Sequence, residues 1–184
     1  MEQGKNRQIL LATRPVGMIS ESDFFHREVP IPPGGTLSDY IPFYFTPFSP
    51  MMLNIKTGYN GMKQTPMPDI VIFASSLRTV AEQGLGSVFT DRHAYLSAAE
   101  FSSNLDDLDR IDWKILEARD FKRDANDPGK VERYQAEALV HRHMPVAALA
   151  GIVCHGAAQE ARLQQLVQNN GLKLTIAVRH GWYL

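Results

Sequence analysis

A single α+β domain is the fold class this sequence predicts, and three observations carry it. β-prone runs of strand length, among them Ile70-Val71-Ile72-Phe73-Ala74 and Leu174-Thr175-Ile176-Ala177-Val178, alternate with short helical stretches without a regular βαβ rhythm. The length of 184 residues suits one domain. A hydrophobic fraction of 44% is enough to bury a core without covalent staples, and the lone Cys154 leaves no intrachain disulfide to form.

The elements follow in order. Residues 1–35 carry weak periodicity and end in Pro30, Pro32, Pro33, Gly34 and Gly35, which reads as an irregular arm and a tight turn. Residues 39–46, rich in aromatics, predict a strand that Pro42 places at an edge or bends. Ser49-Pro50 predicts a helix start, with serine as N-cap and proline in the first turn, and Met51, Met52 and Ile55 on its buried face. Residues 57–68 are a loop. Ile70–Ala74 is a buried strand, and Leu77–Gly84 is a short helix stopped by glycine.

Ser87–Thr90 is a second strand, leading into Asp91-Arg92-His93. Phe101, Leu105 and Leu108 recur at helical spacing and predict an amphipathic helix over 97–110. Residues 117–133 form a charged loop, and propensity leaves Ala136–His141 open between helix and strand. Ile152–His155 is a strand, and residues 157–169 are a helix closed by Asn170-Gly171. Leu174–Val178 ends the chain as a strand.

Charge and motifs exclude several classes. Nineteen Lys and Arg against twenty Asp and Glu leave a net charge of −1, so the global basic field of a duplex binder is absent. A single-strand binder is still possible, because it works with a local groove and stacking aromatics. No phosphate-binding loop, nucleophile elbow or zinc-protease motif occurs, and Gly84-Leu85-Gly86 reads as a loop. His141 and His143 lack a third ligand, so no metal is expected. Cys154 reads as core, and as a strand neighbour of His155 it points to the opposite face. The N-terminus is too polar and its apolar run too short for a signal peptide or a span, so a cytoplasmic location is expected.

Longer strings are more specific. Gly34-Gly35-Thr36-Leu37-Ser38-Asp39-Tyr40-Ile41-Pro42-Phe43-Tyr44-Phe45-Thr46-Pro47-Phe48-Ser49-Pro50-Met51 resembles the GG-x-L-x-DYVPFYF-x-P-x-SPM signature of the DarT family. Val88-Phe89-Thr90-Asp91-Arg92-His93-Ala94 resembles that family's second block. Tyr134-Gln135-Ala136-Glu137-Ala138-Leu139 resembles the block with its catalytic glutamate, and Gly181-Trp182-Tyr183 resembles its ending. The resemblance runs over residues 30–184 in order and spacing.

That resemblance implies an ADP-ribosyltransferase fold, a split β-sheet core with surrounding helices, filling residues 1–184 as one domain with a divergent or shortened arm at 1–33. It implies transfer of ADP-ribose from NAD to a base, foremost thymine, in single-stranded DNA. It further implies a toxin whose partner is a DarG-type macrodomain antitoxin. Breaking the nicotinamide–ribose bond builds positive charge on the ribose, so a carboxylate beside it stabilises the transition state, and the same group can take the proton of the attacking base. Glu137 is the expected catalytic residue. Tyr44 is expected to face the nicotinamide pocket. Phe45, Ser49, Met51 and Asp39 are the other candidate NAD contacts, against core, cap and turn roles.

In the loop before the glutamate, Arg119, Lys122 and Arg123 sit among aromatics that include Tyr134. With Arg92 and His93 they are the candidate DNA contacts, against a merely solvated loop. One departure stands out. The family's opening aromatic-His-x-x-x-x-Asn-Leu segment is not found, and Phe24 occupies the spacing of its assisting arginine, which leaves Arg27 as a nearby substitute. Three alternatives therefore stay open: a catalytically weakened DNA- or NAD-binding module, guanine as acceptor, and protein as acceptor.

Overall fold

Strand pairing organises the chain. The computed structural model describes residues 26–184, Asn60 by its backbone alone, and the backbone of a two-residue strand, β1, at Ile9–Leu10. The expectations for the rest of the arm, Phe24 among them, lie outside the described residues.

The other strands are β2 (Tyr40–Tyr44), β3 (Ile72–Ser75), β4 (Ser87–Thr90), β5 (Phe101–Ser102), β6 (Glu137–His141), β7 (Gly151–Cys154) and β8 (Thr175–Val178). They form one sheet in the order β5-β4-β6-β2-β1-β3-β7-β8, antiparallel except for β7 and β8. Among the described residues the short β1 joins the two halves: Leu10 pairs with Tyr44 on one side and Ala74 on the other. At Pro42, β2 has among the described residues a partner on one side only, where it pairs with Leu139. A proline is tolerated there for that reason.

Around the sheet lie α1 (Pro50–Thr57), α2 (Leu77–Glu82), α3 (Trp113–Ala118), α4 (Lys130–Tyr134) and α5 (Ala157–Asn169). Local chemistry sets their starts. The Ser49 hydroxyl accepts from Met52 N at 3.1 Å, and the Ser76 hydroxyl accepts from Thr79 N at 3.0 Å. On α1 only Met52 is fully buried, while Met51 and Ile55 are half-buried.

Alternation divides the first half-sheet into two faces. Phe43, Phe89, Ala138 and Val140 pack on one face against Leu77, Val80, Leu116 and Tyr134. Tyr40, Val88 and Leu139 pack on the other, under Val29, Leu37 and Ala94. A third cluster, with Met52, Ile72, Val153 and Tyr183, covers the second half. At Gly151 a Cβ would meet the Thr175 carbonyl oxygen at 2.6 Å, so β7 and β8 approach this closely only because the residue is glycine.

Two sequence expectations change. The amphipathic helix over 97–110 is not formed: Phe101–Ser102 pairs with β4 as an edge strand, and Asn104 then caps a 3-10 turn over Leu105–Arg110. The apolar residues keep their burial, but the Asp91 carboxylate, accepting from Glu100 N at 2.9 Å, draws this segment to the sheet. Tertiary pairing overrides the helical period there. The charged loop 117–133 is bracketed by helices, α3 ending at Ala118 and α4 beginning at Lys130. Ala136–His141 is resolved as strand, β6 starting at Glu137.

Candidate active site

One end of the first half-sheet gathers the chemistry. The register pairs Tyr44 of β2 with Glu137 of β6, and β4 runs antiparallel to β6 with Phe89 opposite Ala138. Directly paired residues share a face, so Tyr44 and Glu137 emerge together. The turn after β4 then delivers Arg92, His93 and Ala94 to the same end.

Glu137 is only 4% exposed. Its Oε2 accepts from the backbone N–H of Ala94 at 2.8 Å, and its own N–H donates to the Thr90 hydroxyl at 3.3 Å. The Thr90 hydroxyl donates in turn to the Arg92 carbonyl at 2.6 Å, which shapes the turn carrying Ala94. His93 Nδ1 lies 3.5 Å from the same Oε2. That nitrogen also lies 3.3 Å from Tyr95 N, whose N–H donates to it. Among the described residues no arginine or lysine pairs with Glu137. A carboxylate offers about four acceptor positions, so most of its capacity remains for hydroxyls or for positive charge in a ligand.

Arg27 lies against the same sheet face. Its carbonyl accepts from Leu37 N at 2.9 Å, and its guanidinium sits 5.4 Å from the Phe101 ring centre. Its Nη1 is buried with no hydrogen-bond partner among the described residues. Burial lowers its pKa, partly opposed by Tyr95. Phe101 packs on the cluster that holds Ala94 and Leu139, the latter two residues along β6 from Glu137. An unpaired buried donor is costly in a finished protein and marks a place that a ligand would complete.

The other candidate NAD contacts separate. Tyr44 is half-buried beside Glu137, with Phe43 and Phe45 in the core on either side of it. Phe45 is edge-on to Trp113 with ring centres 5.4 Å apart, which fits the core alternative. Ser49 is 1% exposed and caps α1, and Met51 is half-buried in that helix's first turn. Asp39 lies at the opposite end of β2 from Glu137, and its Oδ2 accepts from Thr36 N at 2.7 Å. These bonds hold its carboxyl below the usual carboxylate range and fit the turn-and-cap alternative.

The charged loop is internally paired. Arg133 makes a fork with Asp127, at 3.1 and 2.7 Å, and reaches Asp112 at 3.1 Å. Lys130, 8% exposed, bonds Asp120 at 2.9 Å. Hydrogen bonds from Lys130 and Arg133 keep both Asp120 and Asp127 below the usual carboxylate range. Arg119, Lys122 and Arg123 remain exposed. Tyr134 is 1% exposed, and its hydroxyl donates to the Phe48 carbonyl at 2.8 Å, so its ring supports the loop and offers no surface to a base. Arg92 pairs with Asp91 at 2.9 Å and approaches Glu132 at 3.9 Å, and His93 N–H donates to the Glu132 carbonyl at 3.0 Å. These contacts tie the turn after β4 to α4.

The sequence reading missed Thr90, Asp91 and the Ala94 amide. The first two look like strand-end polar residues, and the third is a backbone group without any side-chain signature.

Comparison with known proteins places this geometry. A family model described as "ssDNA thymidine ADP-ribosyltransferase, DarT" matches residues 8–184. A DNA ADP-ribosyl transferase of Escherichia coli O127:H6 is 50% identical over 155 residues, 84% of this chain and 71% of that protein. One from Thermus sp. (strain 2.9) is 35% identical over 158 residues, 85% of this chain and 74% of that protein. The solved structure of Thermus sp. 2.9 DarT in complex with ADP-ribosylated ssDNA superposes with a TM-score of 0.81 at 32% identity, covering 89% of this chain and 78% of that one. The same protein in complex with NAD+ gives 0.77 at 32% identity, over 90% and 83%.

Proposed function

The chain belongs to the DarT family of single-stranded-DNA thymidine ADP-ribosyltransferases, and from that premise we propose that Glu137, assisted by Arg27, transfers ADP-ribose from NAD to thymine in a single strand. Its reaction class is NAD-dependent DNA ADP-ribosyl transfer. The observation that carries the catalytic assignment is the Glu137 carboxylate, buried at the start of β6 and held by the Ala94 N–H, with no arginine or lysine paired to it among the described residues.

NAD is the substrate that supplies the ADP-ribose. In the proposed reaction the nicotinamide–ribose bond breaks and the ribose carbon bonds to a nitrogen of the base. Glu137 grips the ribose hydroxyls and faces the developing positive charge, and it accepts the proton that leaves the base. Arg27 presents its unpartnered Nη1 to the anionic part of NAD, while Tyr44 lines the pocket on the strand beside Glu137. The turn Asp91–Ala94 holds the carboxylate in place.

The strand is assigned to the loop's exposed cations, Lys122 and Arg123, with Arg92 and His93 at the mouth. In cells this reading makes the protein a cytoplasmic toxin opposed by a DarG-type macrodomain antitoxin. Among the described residues no helix is long and apolar enough to cross a membrane, and no cluster of side chains could hold a metal ion.

Labelled NAD incubated with thymine-containing single strands, beside guanine-only strands, duplex and protein, tests the whole reading. Label is expected on the thymine strand; label on guanine or protein alone would replace the acceptor, and none anywhere would leave a binding module. Replacing Lys122 and Arg123 together by alanine is expected to lower the slope of log affinity against log salt by roughly 0.7 for each phosphate that these side chains neutralise. Strand binding titrated over a salt series checks it, and an unchanged slope would remove both residues from the strand's path.

A further inference from the structure

We propose that Arg119 is a stacking platform for one base of the target strand, built by clamping its guanidinium on Phe48. This deepens the reading of the chain as a single-strand DNA ADP-ribosyltransferase and rests on it.

The Arg119 guanidinium carbon sits 3.6 Å from the centre of the Phe48 ring. That is the thickness of two flat groups in contact, the separation of a guanidinium stacked on an aromatic ring. The ring beneath is firmly set. Phe48 is 6% exposed, its N–H donates to the Thr46 hydroxyl at 3.2 Å, and its carbonyl accepts from the buried Tyr134 hydroxyl at 2.8 Å. Arg119 is exposed, and in the proposed platform the guanidinium face turned away from Phe48 is the one offered to a base.

The loop's charge pairing explains why this arginine is available. Asp120 is taken by Lys130, and Asp112 and Asp127 by Arg133. Among the described residues no carboxylate pairs with Arg119. Its backbone is equally unusual: Arg119 ends α3 at φ 54°, the left-handed region where glycine or asparagine is the usual occupant. A side chain kept in a disfavoured conformation fits a residue whose guanidinium is used there.

The location is also right. Phe48 follows β2 at its Tyr44 end, and Tyr44 pairs with Glu137. Tyr134, which holds the Phe48 carbonyl, lies three residues before Glu137. Guanidinium planes stack on unpaired bases, and an arginine already held flat on an aromatic ring has little freedom left to lose on binding. The assignment differs from a phosphate contact, which would use the charge and ignore the plane.

Arg119→Lys and Arg119→Asn separate the two. Lysine keeps the charge without the plane, and asparagine suits the left-handed backbone, so the fold survives, as thermal unfolding will verify. Binding of a short thymine-containing strand is titrated over a salt series, with each base replaced in turn by an abasic site. Both variants are expected to bind roughly five- to a hundredfold more weakly. The salt slope of Arg119→Lys should not change. Wild-type protein should lose a similar factor at one abasic position, and that loss should vanish in both variants. If Arg119→Lys binds as tightly as wild type, or if no abasic penalty disappears, the platform is overturned. A wild-type protein that neither binds nor modifies any strand would instead overturn the function itself, a separate result read in the same titration.

Discussion

Glu137→Gln is expected to lower ADP-ribose transfer by roughly a hundredfold or more while the protein folds as before. Glutamine keeps an oxygen for the Ala94 N–H, which Glu137 now satisfies at 2.8 Å, so the change removes charge and basicity and little else. Glu137→Ala should lose transfer as well, but it also strands that amide in a buried site, at about 1–3 kcal/mol of stability. The two variants therefore part in thermal unfolding and agree in activity. Labelled NAD and a thymine strand measure transfer, and near-normal transfer by a folded Glu137→Gln protein would dismiss the carboxylate as the catalytic group.

Arg27→Met is expected to reduce transfer by about a hundredfold to a thousandfold, the range for losing one preorganised electrostatic partner, without lowering stability. The guanidinium lies against Phe101 with Nη1 buried and unpartnered, so the folded protein gains little from its charge. A methionine fills similar apolar space without a stranded donor. Loss of function at undiminished stability is the pattern of a residue kept for its ligand. Melting temperature and transfer rate measured on one preparation decide it: a lower melting temperature with unchanged transfer would make Arg27 a structural residue.

Much of the architecture was legible because it rests on local rules. Ser49 and Pro50 announce α1, the apolar run before Ser76 announces β3, and Asn170-Gly171 closes α5, whose range of 157–169 agrees with the expectation. The stretch 97–110 was misread because its apolar spacing suits a helix and also a two-residue strand followed by a 3-10 turn. Only the partner strand β4 decides between them. Glu137 was legible through the string around it, not through any property of an isolated glutamate.

The charged loop shows the limit most clearly. Its basic residues look alike in sequence, yet Arg133 and Lys130 are committed to carboxylates inside the loop, Arg119 lies on Phe48, and Lys122 and Arg123 are left exposed. Tyr134 reads in sequence as a DNA contact beside the loop's cations, and burial makes it a core strut instead. By itself the sequence determined most of the elements and the class of fold, and it singled out Glu137 as the expected catalytic carboxylate, since propensity, capping and a specific string are properties of neighbouring residues. Tertiary structure alone decided the register of Tyr44 on Glu137, the Ala94 amide on its carboxylate and the sorting of the loop's cations. Each of these depends on which distant groups meet, and the energy of a hydrogen bond or ion pair falls off within a few ångströms of contact.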